Sequence, residues 1–279
     1  MNTSTRTAAV NWRTPTVVLI CGGLALTIAL GTRHSFGLFL LPMTMDLEWN
    51  RQTFAFAMAL QNLVYGIAQP FTGMIADRFG AARVMIAGTI IYALGLLWMA
   101  NPGGGTDFSL SAGVMIGIAL SCSGFSIVFG VVGRAFPPEK RSMALGIAGA
   151  AGSLGQFVML PFGQLLINQI GWHHALMTLA LVVLVIAPLS AAMVEDRSAQ
   201  PSAQSRQSVP EALREAGRHQ GFWLLCLAYT VCGFQVMFIS IHFPAYMVDQ
   251  HMSPEVGMRA LALIGLFNVL GSYTWGWLG

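Results

Sequence analysis

The chain of 279 residues is 55% hydrophobic, whereas charged residues make up only 9% of it and leave a formal net charge of +3. Soluble domains carry about 25% charged residues, so this composition excludes a soluble domain and also a disordered chain. All four cysteines lie inside apolar runs, which excludes a disulfide-rich secreted scaffold, and no basic run with interleaved aromatic residues points to nucleic acid. The remaining class is an integral membrane protein in contact with the lipid bilayer.

Eight apolar runs are long enough to cross a bilayer as helices, which requires about 20 residues each. In chain order the predicted spans are 16–42, 53–76, 82–100, 108–136, 142–168, 175–194, 222–243 and 254–279. Pro137 and Pro138 separate the fourth span from the fifth, since a proline pair cannot continue a helix. Asn50 and Ser253 are typical N-cap residues at the starts of the second and eighth spans. We therefore predict an all-α membrane bundle.

The basic residues between the spans lie almost entirely on one side. Successive loops lie alternately on the two sides of the membrane, and we count the side of the N-terminus as the first. The loops of the second side, which we call the outer face, hold Arg51 as their single Arg or Lys. The first side holds eleven basic residues, namely Arg6, Arg13, Arg78, Arg83, Arg134, Lys140, Arg141, Arg197, Arg206, Arg214 and Arg218. Lys and Arg accumulate in cytoplasmic loops, so this side and the N-terminus are predicted to be cytoplasmic. The first span is too long for a signal-peptide core and lacks a cleavage site, so it is expected to remain in the protein. With the other spans this predicts a multi-pass membrane protein, and the expected location is the bacterial inner (plasma) membrane.

A polar stretch divides the chain. Residues 1–194 are predicted to form an N-terminal half of six spans, residues 195–220 a cytoplasmic linker, and residues 221–279 the start of a C-terminal half with the seventh and eighth spans. Within the linker, Ser208-Val-Pro-Glu211 matches a capping box and predicts a short surface helix through Gly217.

The two halves show an internal repeat. A shift of 203 residues places Asp46 on Asp249, Gly73 on Gly276 and Asn50 on Ser253. Six spans, a long cytoplasmic loop and the same pattern again are typical of transporters built from two halves. The charged turn Asp77-Arg78 that follows Gly73 has no counterpart after Gly276. We therefore expect four further spans in a longer protein.

A charged loop signature follows the second span. The segment Gly73-Met-Ile-Ala-Asp77-Arg78-Phe-Gly80-Ala-Ala-Arg83 resembles the form G-x-x-x-D-R-x-G-x-[RK]-[RK] found between helices 2 and 3 of the major facilitator superfamily, with one basic residue missing. The resemblance covers the whole chain as the first eight of twelve helices and implies a major facilitator-type bundle. It also implies a gating role in the conformational cycle for these residues: Gly73, Asp77, Arg78, Gly80 and Arg83.

A narrower resemblance concerns the monocarboxylate and oxalate:formate branch of that superfamily. It rests on Gly31-Thr-Arg33-His34-Ser35-Phe36-Gly37-Leu-Phe39, on Gln69-Pro70-Phe-Thr-Gly73, and on the glycines at positions 146, 149, 152 and 155. Members of that branch often carry an arginine in helix 8 where this chain has Ser272, and the only arginine of the eighth span, Arg259, lies near its outer end. This departure weakens the case for an anion site carried by helix 8.

Arg33 is the strongest candidate for contact with a substrate. It lies about nine residues from the outer end of the first span, or roughly 13 Å deep at the α-helical rise. A charge near the bilayer centre costs at least ~2.5 kcal/mol on insertion scales. The acidic residues lie at or near the span ends, so no deep acid is available to pair with it. An anionic ligand is therefore expected, and the planar guanidinium suits a carboxylate. Bonding of Arg33 to backbone carbonyls, or to further helices, is the structural alternative.

Further polar residues within the spans complete the candidate substrate site, since such residues face protein or a cavity rather than lipid. Tyr65 and Asn268 occupy equivalent repeat positions, and the site includes these residues: Arg33, His34, Tyr65, Gln69, Gln156, Gln235 and Asn268. His34 could carry a coupling proton or could simply be a structural hydrogen-bonding residue.

The predicted function is secondary active transport of small organic anions, mono- or dicarboxylates, by alternating access. Protons are a plausible coupling ion, and a monomer is expected. The alternatives are an efflux pump for hydrophobic compounds, in which Arg33 is structural, and a membrane sensor that does not transport. The sequence contains no H-E-x-x-H, G-x-S-x-G or P-loop motif and no zinc-type spacing of Cys and His. Neither an enzyme activity nor a metal or other cofactor is therefore expected.

Overall fold

The computed structural model describes residues 13–194 and 209–279, without the side chains of 209, 210, 212 and 213. Within these ranges the chain forms helices joined by short turns and contains no strand. The α-helices are α1 (Pro15–His34), α2 (Leu40–Asp46), α3 (Arg51–Phe79), α4 (Ala81–Ala100), α5 (Gly105–Phe108), α6 (Ile116–Ser123), α7 (Phe125–Ala135), α8 (Pro138–Leu184), α9 (Ile186–Leu189), α10 (Val209–Arg218), α11 (Gln220–Asp249) and α12 (Pro254–Leu278).

The predicted spans correspond to these helices in order. Six stretches of the described chain are long and apolar enough to cross a membrane: Pro15–Asp46, Ala81–Ala100, Gly105–Ala135, Pro138–Met193, Gln220–Asp249 and Pro254–Leu278. The fourth stretch, of 56 residues, contains the fifth predicted span and all but the last residue of the sixth. The second predicted span is the 29-residue helix α3, which carries several polar side chains in its middle and is not one of the six. The prediction of an all-α membrane bundle is confirmed.

Several span boundaries differ from the prediction; the seventh span, for example, continues beyond residue 243 to Asp249. The loop expected between residues 168 and 175 is helical on both sides of Gly171, whose positive φ of 75° makes the single break in α8. Glycine adopts this left-handed conformation without a Cβ clash, so one residue is sufficient for the break. The first span continues to Asp46 but passes through a 3₁₀ segment, Ser35–Phe39, directly after Arg33 and His34.

Helix ends follow the predicted capping. The Asn50 side chain accepts a hydrogen bond from the backbone N–H of Gln52 at 3.0 Å, and Ser253 occupies the N-cap of α12 with Pro254 in the first turn. The short helix α10 lies where the capping box predicted it, although Ser208 itself is outside the described residues.

Small residues let α1 approach α8 closely. A Cβ on Gly155 would overlap the backbone of Thr27, and a Cβ on Gly31 would lie 2.6 Å from the carbonyl oxygen of Gly155. The Thr27 hydroxyl donates to the Ala151 carbonyl across the same contact at 2.7 Å. Close backbone approach through small residues is a common way for membrane helices to associate. This contact fixes α1, and with it Arg33, against α8.

The same glycine run also serves α12. A Cβ on Gly146 would lie 2.5 Å from the Cα of Gly276, so the first turns of α8 pack directly on the end of α12. The glycine at position 146 thus faces α12, that at 149 faces both α7 and α12, and those at 152 and 155 face α7 and α1.

Candidate functional site

The Arg33 guanidinium lies where α1, α3 and α11 meet. Its Nη2 donates to the Asn62 side-chain oxygen, and the same nitrogen lies 3.4 Å from the Met237 sulfur. Its Cζ lies 4.9 Å from the centre of the Tyr65 ring, a distance at which a cation is attracted by the aromatic face. Arg33 therefore contacts both the first and the second predicted half of the chain.

All of these partners are neutral. Two ion pairs of the described residues, Arg51 with Asp249 and Arg134 with Asp77, do not involve Arg33. The Arg33 Nε is buried and has no hydrogen-bond partner within the described chain. The guanidinium therefore has neutral neighbours and one N–H donor that no described residue accepts.

Side-chain-to-backbone hydrogen bonds join α3, which carries two of the Arg33 contacts, to the neighbouring segment 109–123. The Gln61 amide donates to the Ala112 carbonyl at 2.7 Å, and the Thr72 hydroxyl donates to the Ser121 carbonyl at 3.0 Å. Asn62 donates to the Met58 carbonyl of its own helix at 2.7 Å, which turns its side-chain oxygen towards Arg33. The Asn62 acceptor is thus positioned by the helix that carries it.

His34 follows Arg33 directly and is also half-buried. Its Nδ1 is buried without a hydrogen-bond partner in the described chain, as is the Thr32 hydroxyl. Three consecutive residues at the end of α1 therefore have polar atoms whose hydrogen-bonding capacity is not used within the described protein.

The other predicted site residues are distributed unevenly. Tyr65 joins Arg33, whereas Gln69 is half-buried one turn further along α3. The Gln156 amide is buried and donates to the Leu261 carbonyl at 3.0 Å, so it ties α8 to α12. Gln235 and Asn268 are exposed, and Gln235 points away from Arg33 because it lies about 200° around α11 from Met237.

Two contacts of Arg33 were not in the predicted site. Asn62 precedes Tyr65 by three residues, which places both on one face of α3, and this spacing could have identified it. Met237 carried no comparable signal, since an apolar residue in an apolar span is unremarkable in sequence. Only the packing of α11 against the 3₁₀ segment that follows α1 reveals it.

The residues predicted for gating surround the turn between α3 and α4. Gly80 has a φ of 97° and ends α3, so the glycine of the signature provides the sharp turn. Arg134 Nη1 lies 3.8 Å from Asp77 Oδ1, with both side chains about half exposed (46% and 55%). The Arg78 guanidinium lies 5.3 Å from the Phe79 ring centre. Gly73 has open space where a Cβ would stand, and Arg83 is exposed. The acidic residue of the signature thus connects the end of α3 to α7.

The chain is similar to several membrane transporters over most of its length. The chain is 27% identical to the uncharacterized MFS-type transporter YcxA of Bacillus subtilis, covering 88% of this chain and 60% of that protein. It is 25% identical to monocarboxylate transporter 11 of Mus musculus, covering 90% of this chain and 56% of that protein. The uncharacterized MFS-type transporter YhjX of Escherichia coli is 23% identical, with 94% of this chain and 65% of that protein covered. The chain thus spans somewhat over half the length of these relatives.

The family assignment covers nearly the whole sequence. The sequence model of the Major Facilitator Superfamily matches residues 16–279, from the first helix to the last residue of the chain. The helical architecture agrees with this match, and the chain belongs to the Major Facilitator Superfamily of membrane transporters.

Proposed function

We propose that the protein transports small organic anions, mono- or dicarboxylates, across the bacterial inner membrane by alternating access, with Arg33 as the carboxylate ligand. The observation that carries this proposal is the setting of Arg33: a guanidinium deep within a span, surrounded by neutral partners and with a buried Nε–H that no described residue accepts. Six relatives of the chain are named as monocarboxylate transporters, which agrees with an anionic substrate.

The geometry suggests how a carboxylate would bind. Its oxygens would approach the edge formed by Nε and Nη2, so that one oxygen accepts from Nε–H and the other shares Nη2 with the Asn62 amide or replaces it. Two parallel bonds of this kind give orientation as well as affinity. The Arg33 Cζ lies over the Tyr65 ring, so the ring would help to hold the guanidinium in position for the carboxylate.

We further propose that His34 carries the coupling proton when transport is coupled to protons. The support is its position directly after Arg33 and its buried, unpartnered Nδ1. A proton on His34 would add a second positive charge near the carboxylate, so protonation and substrate binding would favour each other.

A thermal-stability screen of the purified full-length protein tests the substrate assignment. Carboxylates of increasing length are expected to raise the unfolding temperature of the parent protein, because a ligand that binds the folded state stabilises it by mass action. The shift should disappear in Arg33→Gln and remain in the matched control Arg259→Gln, whose arginine lies exposed near the start of α12.

Two results would count against this assignment. A carboxylate-induced shift that persists in Arg33→Gln would remove Arg33 from the site. Stabilisation by hydrophobic compounds alone, equal in both variants, would favour the efflux alternative.

A further inference from the structure

An ion pair joins the first residue of α3 to the last residue of α11. Arg51 Nη1 and Nη2 donate to the two carboxylate oxygens of Asp249 at 2.6 and 2.9 Å, across 198 positions of sequence. A guanidinium that binds both oxygens fixes the relative orientation of the two helix ends as well as their distance. The pair therefore links the two predicted halves of the chain at the outer face.

Each of these charges lies at the end of its own helix that disfavours it. The helix dipole places partial positive charge at the N-terminus, where α3 has Arg51, and partial negative charge at the C-terminus, where α11 has Asp249. Neither residue stabilises its own helix electrostatically, and each is compensated by the other. Arg51 is in addition the one Arg or Lys in the predicted outer loops of this chain. These positions are explained by the contact between α3 and α11, and not by local helix stability.

The ion pair ends a continuous contact between α11 and the first half. Beginning at Met237 beside Arg33, the contact continues through Ser240, where a Cβ on Gly37 would overlap the Ser240 carbonyl. The buried residues of α11 are Ser240, Ile241, Pro244 and Ala245. They all lie between the level of Arg33 and the outer end. This packed section, about 18 Å long at the α-helical rise, separates Arg33 from the outer face.

We propose that Arg51 and Asp249 form an outer latch, an ion pair that holds the end of α11 at the start of α3, and α11 against the 3₁₀ segment after α1, while Arg33 is closed to the outer face. The ion pair separates when that side opens. The inference rests on the alternating-access part of the proposed function and is independent of the substrate. The exposure of the two side chains, 51% and 45%, suits a bond that breaks in every cycle. Water can solvate both charges when they separate, whereas separation of a buried pair would leave them uncompensated.

Cysteine accessibility tests the latch without any transport measurement. The reporter is Ser240→Cys in full-length protein in which the native cysteines, Cys21, Cys122, Cys226 and Cys232 among them, are replaced by serine. A membrane-impermeant maleimide added to intact cells then measures how often the outer side opens. Arg51→Asp is expected to raise the labelling rate about fivefold, the factor that corresponds to the upper end of the interaction free energies measured for exposed ion pairs. Asp249→Asn should also raise the labelling rate.

The exchange of both charges provides the decisive control. In the double variant Arg51→Asp with Asp249→Arg, the pair is restored and each charge now lies at the favourable end of its helix, so the labelling rate should return to the parent value or fall below it. Arg259→Asp makes the same change of charge on α12 and should leave the rate within about twofold of the parent, as a substitution outside the pair. Unchanged labelling in Arg51→Asp, a high rate that persists in the exchanged pair, or increased labelling only from the cytoplasmic side of inverted vesicles would overturn the proposal.

Discussion

The stability of the ligand-free protein distinguishes a substrate-binding Arg33 from a structural one. Insertion scales assign a central arginine a cost of about 2.5–3.5 kcal/mol, which Arg33→Gln would relieve. The substitution would also remove the hydrogen bond to Asn62, about 0.6 and at most about 1.7 kcal/mol in a membrane. Loss of the contact with the Tyr65 ring would cost about 0.5–2 kcal/mol. These contributions nearly cancel, so we expect the free energy of unfolding to stay within about 1 kcal/mol of the parent or to rise.

Reversible unfolding of the purified protein in mixed micelles measures this difference. Removal of one partner from a buried ion pair costs about 3–5 kcal/mol, so a loss of that size in Arg33→Gln would refute the reasoning and assign Arg33 a structural role. Gln156→Leu is the matched control, because it removes a buried amide that donates to the Leu261 carbonyl and should therefore destabilise the protein by about 0.6 kcal/mol.

Three further predictions use the same preparation. Gly155→Ala should lower the free energy of unfolding by about 1–3 kcal/mol, since the new Cβ meets the backbone of α1, whereas Gly73→Ala meets open space and should not destabilise; equal losses would contradict the packing described. Asn62→Asp places an acid beside Arg33 and should raise the stability of the ligand-free protein while abolishing stabilisation by carboxylates, and a retained ligand shift would show that the guanidinium is not the binding group. Asp77→Asn should change stability by less than about 1 kcal/mol, because its ion pair is half exposed, yet it should slow transport in proteoliposomes; unaltered flux would remove Asp77 from the gating residues.

Much of the architecture follows from composition and local chemistry. A bilayer leaves backbone polar groups no partner but each other, so any long apolar run must become a helix. The positions of the spans could be predicted for this reason, and so could the cap at Asn50, whose side chain bonds within its own turn. The break at Gly171 was not predicted at that residue. A single left-handed glycine turned the chain where a loop of several residues was expected.

Some residues of the candidate site could be identified from sequence, whereas others could not. Arg33 could be identified from sequence because the cost of a deep charge depends on depth, which can be counted along a helix. The selection among the other polar residues could not be made in this way. Gln156 and Tyr65 are equally polar residues within spans, yet one binds a backbone carbonyl of α12 while the other faces the guanidinium.

Sequence by itself thus determined that this chain crosses the membrane repeatedly and carries one deep positive charge. Only the tertiary structure decided that Asn62 and Met237 meet that charge, and that Arg51 is paired with Asp249. The physical reason is that span formation depends on the local exchange of water for lipid, whereas a contact between residues about 200 positions apart depends on how closely small residues allow the helices to approach and in which direction each helix presents its faces.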